Sequence, residues 1–165
     1  MSGIDDRAIS RVVFLLVMCA VSLPACGASW SGTCVGVSDG DTIRVMRGAQ
    51  HMNIRLYGID CPERGQDFGN KARRFTGDMT FGKTVGIEEM DRDPYGRIVA
   101  WVWVNGTSLN TELLKNGLAW WYRQYAPENG ELRDLESSAR KAKIGLWSHP
   151  NPLPPWEFRK KKRKR

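Results

Sequence analysis

At 165 residues the chain has room for one ordinary hydrophobic core with appendages. Hydrophobic residues make up 41% and charged residues 26%, a balance that excludes a disordered chain. The net charge is +7, but the last seven residues, Arg159 to Arg165, are all basic and leave 18 acidic groups balanced in everything before them. Attraction of the body for nucleic acid must therefore come from local placement of charge, while the tail adds a salt-sensitive attraction or is simply a solvated end.

The first residues place Arg7 and Arg11 before an apolar run from Val12 to Leu23, too short to span a bilayer comfortably and suited to a signal-peptide core. Residues 1–28 are expected to be a leader and the protein to be exported, to a bacterial periplasm or outside the cell. Leu23-Pro24-Ala25-Cys26 resembles a lipobox, which would lipidate Cys26 and attach the protein to a membrane. Cleavage after Gly27 or Ala28 and an uncleaved anchor are the alternatives. Cys34 and Cys61 remain in the mature chain, where an oxidising compartment would permit a bridge that spacing alone does not prove. With His51 and His149 they are too few for a zinc site.

Residues 29–149 are expected to form the domain. Strands are predicted over 31–37, 42–46 and 51–57, the last with Met52, Ile54 and Leu56 alternating with polar neighbours. A loop follows over 62–69. Next comes a helix over 69–81, with Ala72, Phe75 and Met79 on one face. Strands return over 83–89 and 97–104, and Asn105-Gly106 is a hairpin signal. Asn110 is read as the N-cap of a helix over 111–115, and a final helix is predicted over 130–143. Pro150, Pro152, Pro154 and Pro155 argue against regular structure in the tail, 150–165, although Trp156 and Phe158 are candidates to pack back on the body. Five strands, one helix inserted after the third and helices at the end describe a mainly β protein with α, an OB-fold five-stranded β-barrel with three helices.

In such a meander four carboxylates, Asp39, Asp41, Asp60 and Glu63, converge at the ends of neighbouring strands. Hard oxygen ligands without imidazole or thiolate partners suit calcium or magnesium. Arg55 stands among inward-facing Leu and Ile, which calls for a charged partner or a function. A guanidinium beside a hard cation is what phosphoryl transfer needs, because negative charge builds on the phosphate oxygens.

Asp39-Gly40-Asp41-Thr42, Arg55 through Glu63, and Asp93-Pro94-Tyr95-Gly96-Arg97 resemble, in order, the three signature blocks of the staphylococcal nuclease family. Gly117-Leu118-Ala119 and Gly145-Leu146-Trp147 resemble its later segments, so the likeness spans residues 30–148. The resemblance implies a monomeric Ca²⁺-dependent nuclease that acts on DNA and RNA and leaves 3′-phosphorylated products. It implies that Asp41 and Asp60 are carboxylate ligands of the ion, that Cys61 adds its main-chain carbonyl, and that Asp39 supports the metal from behind. Glu63 would activate the attacking water, Arg55 and Arg97 would clamp the phosphate, and Tyr95 and Tyr125 would contact the nucleotide's terminal phosphate or base. The stretch from Glu63 to Arg97 looks shorter than in the staphylococcal enzyme, and Pro94 and Arg123 depart from its pattern. Both departures concern the substrate rim.

Plainer readings stand beside these. Asp39-Gly40-Asp41 could be a tight turn, and Arg55 and Glu63 could be a structural ion pair. Trp101, Trp103, Trp120, Trp121 and Trp147 could form a base-stacking surface, or simply pack the core. The alternative functions are a non-catalytic OB-fold module that binds nucleic acid through its rim and tail, and an anchored envelope protein that binds protein or glycan.

Overall fold

The computed structural model describes residues 28–164. The apolar run and Cys26 lie outside the described residues. The first strands are β1 (Ser29–Asp39), β2 (Thr42–Arg47) and β3 (Gln50–Leu56), joined in two successive antiparallel hairpins. A short strand β4 (Ile59–Asp60) and helix α1 (Gly69–Thr80) precede β5 (Thr84–Arg92) and β6 (Ile98–Val104). Neighbours run β3-β2-β1-β5-β6, and β3 then pairs with β6 in parallel, Ile54 beside Ile98 and Leu56 beside Ala100. That pairing closes a five-stranded barrel. Its wall breaks register in β1 and in β5, at bulges of the kind that let a small sheet bend far enough to close.

Alternation along the strands turns Ile43, Val45, Ile54, Leu56, Val85, Ile87, Ile98, Ala100 and Val102 inward, where all are buried. The remaining elements are β7 (Thr107–Ser108), α2 (Leu109–Lys115), β8 (Trp120–Trp121), α3 (Gly130–Lys141), a single 3₁₀ turn (Gly145–Ser148) and α4 (Pro155–Arg163). Helix α3 ends at Lys141, two residues short of expectation, and β4 pairs with β8 in a two-stranded ladder that local patterning did not reveal.

Two expectations are corrected. The cap of α2 is Ser108, whose Oγ accepts from the Thr111 amide, and not Asn110. Asn110 is fully buried at the barrel seam. Its Nδ2 donates to the Tyr57 and Ala100 carbonyls, and its Oδ1 accepts from the Val102 amide. The closure leaves these backbone groups in need of partners away from water, and one amide side chain supplies them.

The tail is the second correction. It contains a fourth helix, α4, rather than irregular chain, because Pro155 stands at its first turn, where no intrahelical N–H is needed and the fixed φ is already helical. The bridge left open for Cys34 and Cys61 is not formed. Both are free and buried, Cys34 Sγ sits 3.4 Å from Thr80 Oγ1, and burial pushes the Cys61 thiol well above its ordinary pKa. Trp120, Trp121 and Trp147 are buried in packing, with Trp120 edge-on to Trp147 at 4.4 Å, whereas Trp103 is 39% exposed.

Candidate active site

The turn between β1 and β2, the end of β3, and β4 meet at one rim of the barrel. Asp41 lies at the β1–β2 turn, 6% exposed, and its Oδ2 accepts from the Cys61 amide at 2.6 Å. Gly40 makes this approach possible: a Cβ there would come within 2.7–2.9 Å of Ala72 and Cys61 side-chain atoms. The glycine of the Asp-Gly-Asp turn is thus required by packing. Arg55, from β3, points its guanidinium between two carboxylates. Nη2 donates to Asp60 Oδ1 at 2.8 Å, and Nη1 lies 2.9 Å from Asp41 Oδ2. The second contact is an ion pair out of line for a hydrogen bond.

Asp60 is 1% exposed, held by the β4–β8 pairing opposite Trp120. Burial raises its pKa, and the downward pull of the Arg159 hydrogen bond and of Arg55 does not cancel the combined effect of burial and Asp41. For Arg55 burial acts against the charged form, yet Asp41 and Asp60 more than offset it and the guanidinium holds its proton more tightly than usual. Glu63 sits in the loop before α1. Its amide donates to Gln66 Oε1, and Gly69 passes so close that a Cβ there would fall 2.1 Å from the Glu63 carbonyl oxygen. Asp39 stands outside this group, 3.3 Å from Arg64, its pKa raised by partial burial and by Asp41.

The structure therefore brings Asp41, Arg55, Asp60, Cys61 and Glu63 together, as expected. Arg97 is not drawn into the same network. Among the described residues no ion pair or hydrogen bond joins it to Asp41, Asp60 or Glu63; its Nε donates to Asp93 Oδ2 at 2.6 Å and its amide to Asp93 Oδ1. It nonetheless stands two residues before Val99, the β6 partner of Arg55. Burial would lift Asp93, but the Arg97 backbone and side-chain hydrogen bonds hold its carboxyl below the usual range. Tyr95 is 85% exposed under the Arg97 guanidinium, and Tyr125 is 61% exposed beside Tyr122.

One residue of the site escaped sequence reasoning. Arg159, from α4, donates through Nη2 to Asp60 Oδ2 at 2.8 Å, and through Nη1 to Glu63 Oε1 at 2.6 Å and Asp60 Oδ1 at 3.2 Å. Nothing in a run of seven basic residues distinguishes it from its neighbours. Next to it a cavity of about 560 Å³ is lined by Trp120, Tyr122, Arg123, Arg140, Trp156 and Arg159. Tyr122 and Trp156, rather than Tyr125, supply its aromatic wall, their rings stacked 5.7 Å apart with planes 5° from parallel.

The side-chain donors at the rim are all carboxylate oxygens, which fit a hard divalent ion and not a soft one. Among the described residues no three His, Cys, Asp or Glu side chains are already gathered as a cage, because arginines stand between the carboxylates. An ion at this rim would draw on Asp41, Asp60 and a main-chain carbonyl, with water and substrate completing its shell.

The staphylococcal nuclease homologue family matches residues 53–149, which include Arg55, Asp60, Glu63 and Arg97. The chain is 38% identical to a micrococcal nuclease of Shigella flexneri over 91% of both chains. It is 36% identical to the protein ParB of Escherichia coli, over 96% of this chain and 94% of the relative. It is also 40% identical to an Escherichia coli protein named "Uncharacterized endonuclease", over 89% of this chain and 96% of the relative.

Proposed function

The chain belongs to the staphylococcal nuclease family, and from that premise we propose that it is an exported, Ca²⁺-dependent nuclease that hydrolyses DNA and RNA to 3′-phosphorylated products. The observation that carries this reading is the Arg55 guanidinium, fixed between Asp41 and Asp60 beside Glu63 at one rim of the barrel. A guanidinium preorganised beside carboxylates that suit a hard cation is placed to meet the oxygens of a phosphate.

In this reading Asp41 and Asp60 hold the cation, with the Cys61 carbonyl as a third oxygen and Asp39 as support from behind. When bound, the ion polarises the phosphoryl oxygen and neutralises charge gathered at the phosphate. Glu63 takes a proton from the attacking water. The water oxygen then forms a bond to phosphorus, the bond to the 5′ oxygen breaks, and that oxygen takes up a proton from solvent as it leaves. Arg55 meets the equatorial oxygens, where charge grows in the transition state. Arg97, freed from Asp93, closes on the same phosphate from the turn before β6 and assists the leaving oxygen. Tyr95 and Tyr125 stand on the exposed rim, where the nucleotide would pass.

The reading is tested by digesting denatured DNA and RNA with residues 28–165 in calcium, in chelator, and with Glu63→Gln in calcium. Calcium-dependent 3′-phosphorylated fragments, reduced about a hundredfold or more in the variant, are expected. Tight binding without cleavage in calcium would leave a nucleic-acid-binding module instead. Export rests on residues 1–28; the mass of protein recovered from the cell envelope and the medium tests it, since an intact N-terminus on soluble cytoplasmic protein would refute it. The same mass reports lipidation at Cys26.

A further inference from the structure

We propose that Arg159 is a built-in competitor of the divalent cation: α4 holds its guanidinium on Asp60 and Glu63, and the ion binds only in molecules where that contact has opened. The inference rests on the cation-dependent reading above. It starts from the geometry of Asp60, a carboxylate with 1% exposure and few open directions. Its Oδ1 accepts from both Arg55 and Arg159, and its Oδ2 from Arg159. A cation placed on Asp60 would meet a like charge at hydrogen-bond distance. Glu63 Oε1 is engaged by the same guanidinium, so a water seeking that oxygen faces the same rival.

Charge leads to the same conclusion. Asp41, Asp60 and Glu63 face two guanidinia, Arg55 and Arg159, and the group keeps one net negative charge. With Arg159 withdrawn it keeps two, which one divalent ion neutralises. Arginine and ion are therefore alternative ways of satisfying the same carboxylates.

The docking of α4 positions this charge-assisted contact. Pro155 is buried at the start of the helix, Trp156 lies flat on Tyr122 and edge-on to Trp120 at 5.6 Å, and Gln66 Nε2 donates to the Leu153 carbonyl at 2.5 Å. Residues 160–164 of the same basic run are exposed, and of them none pairs with these carboxylates. Trp156 also covers an aromatic face of Tyr122 of the type on which bases stack. If the open form is a minor population, the apparent cation affinity falls in proportion to it.

Calcium binding is measured by titration calorimetry on residues 28–165, which contain every described element, without nucleic acid. Arg159→Gln should bind the ion about tenfold more tightly than the natural chain, as removal of a closed state populated some nine parts in ten requires. Arg159→Lys, which keeps the charge but loses the bidentate fork, should fall between the two. Lys162→Gln removes one charge from the same helix without touching the cluster and should leave the affinity unchanged. Trypsin gives the second readout: saturating calcium should speed cleavage within the tail of the natural chain and have no such effect on Arg159→Gln. Equal or weaker calcium binding by both Arg159 variants, or a tail equally protected with and without calcium, would overturn the proposal. If all the proteins bind calcium alike and the natural chain cuts DNA, the competitor falls and the nuclease reading stands. If none binds calcium, both fall.

Discussion

Two arginine–carboxylate sites share the rim of this barrel and are built in opposite ways. Arg97 and Asp93 are four residues apart on one turn, and a peptide-scale arrangement of backbone and side-chain hydrogen bonds holds them. Arg55 stands instead in a group drawn from the β1–β2 turn, β3, β4, the loop before α1, and α4, with Arg159 and Asp60 separated by 99 positions. The first site leaves the Arg97 side chain 31% exposed; the second leaves that of Arg55 13% exposed between two carboxylates. In the proposed reading Arg55 is preorganised for a phosphate, and Arg97 would join it only after leaving Asp93.

Unfolding curves would break or sharpen this contrast. Arg55→Ala is expected to have the largest effect, a loss of about 3 kcal/mol, because it leaves buried Asp41 without a guanidinium and Asp60 with Arg159 alone. Adding Asp41→Asn should recover part of it, and a denaturant titration showing no loss in the single variant would mean that the cluster is wetter than its geometry implies. Gly40→Ala comes next, at about 1–3 kcal/mol, since its methyl group must displace Cys61 or Ala72. A melting temperature equal to that of the parent would refute the packing role.

Asp93→Asn should cost about 1.5 kcal/mol at neutral pH, from weakened hydrogen bonds to a charged group. Its folded pKa is depressed, so this contribution is present above the unfolded value of about 3.9 and disappears as the pH falls through the lower folded value. Parent and variant should therefore differ in thermal melts at pH 7 and converge in strong acid. Arg97→Ala should shift stability least, by about 0.5 kcal/mol or less, as expected of a partly exposed side chain paired only within its own turn. A large loss would mean that Arg97 is structural and not held in reserve for substrate.

What could be read in advance follows the same division. The alternation of Met52, Ile54 and Leu56, the turn at residues 38–41 and the helix face of Ala72, Phe75 and Met79 are local patterns, and they are enough to mark the strands, the turn and the helix that carry Asp41, Arg55 and the loop of Glu63. Asn110 looked like a cap because Asn next to a helix start usually is one; only the β3–β6 closure, remote in sequence, showed that its amide serves the seam. Trp156 was a reasonable candidate to pack back, but the partner it would choose was not.

Local patterns along the chain are enough for the five barrel strands, the first three helices, the family blocks, and Asp41, Arg55, Asp60, Glu63 and Arg97, since each depends on neighbours a few positions away. The tertiary structure alone decided that β4 pairs with β8, that the prolines of the tail start a helix instead of preventing one, and that Arg159, out of seven consecutive basic residues, lands on Asp60 and Glu63. The reason is physical: like charges in a row are equivalent until burial of Pro155 and stacking of Trp156 on Tyr122 fix the helix in place, and both are properties of the folded chain.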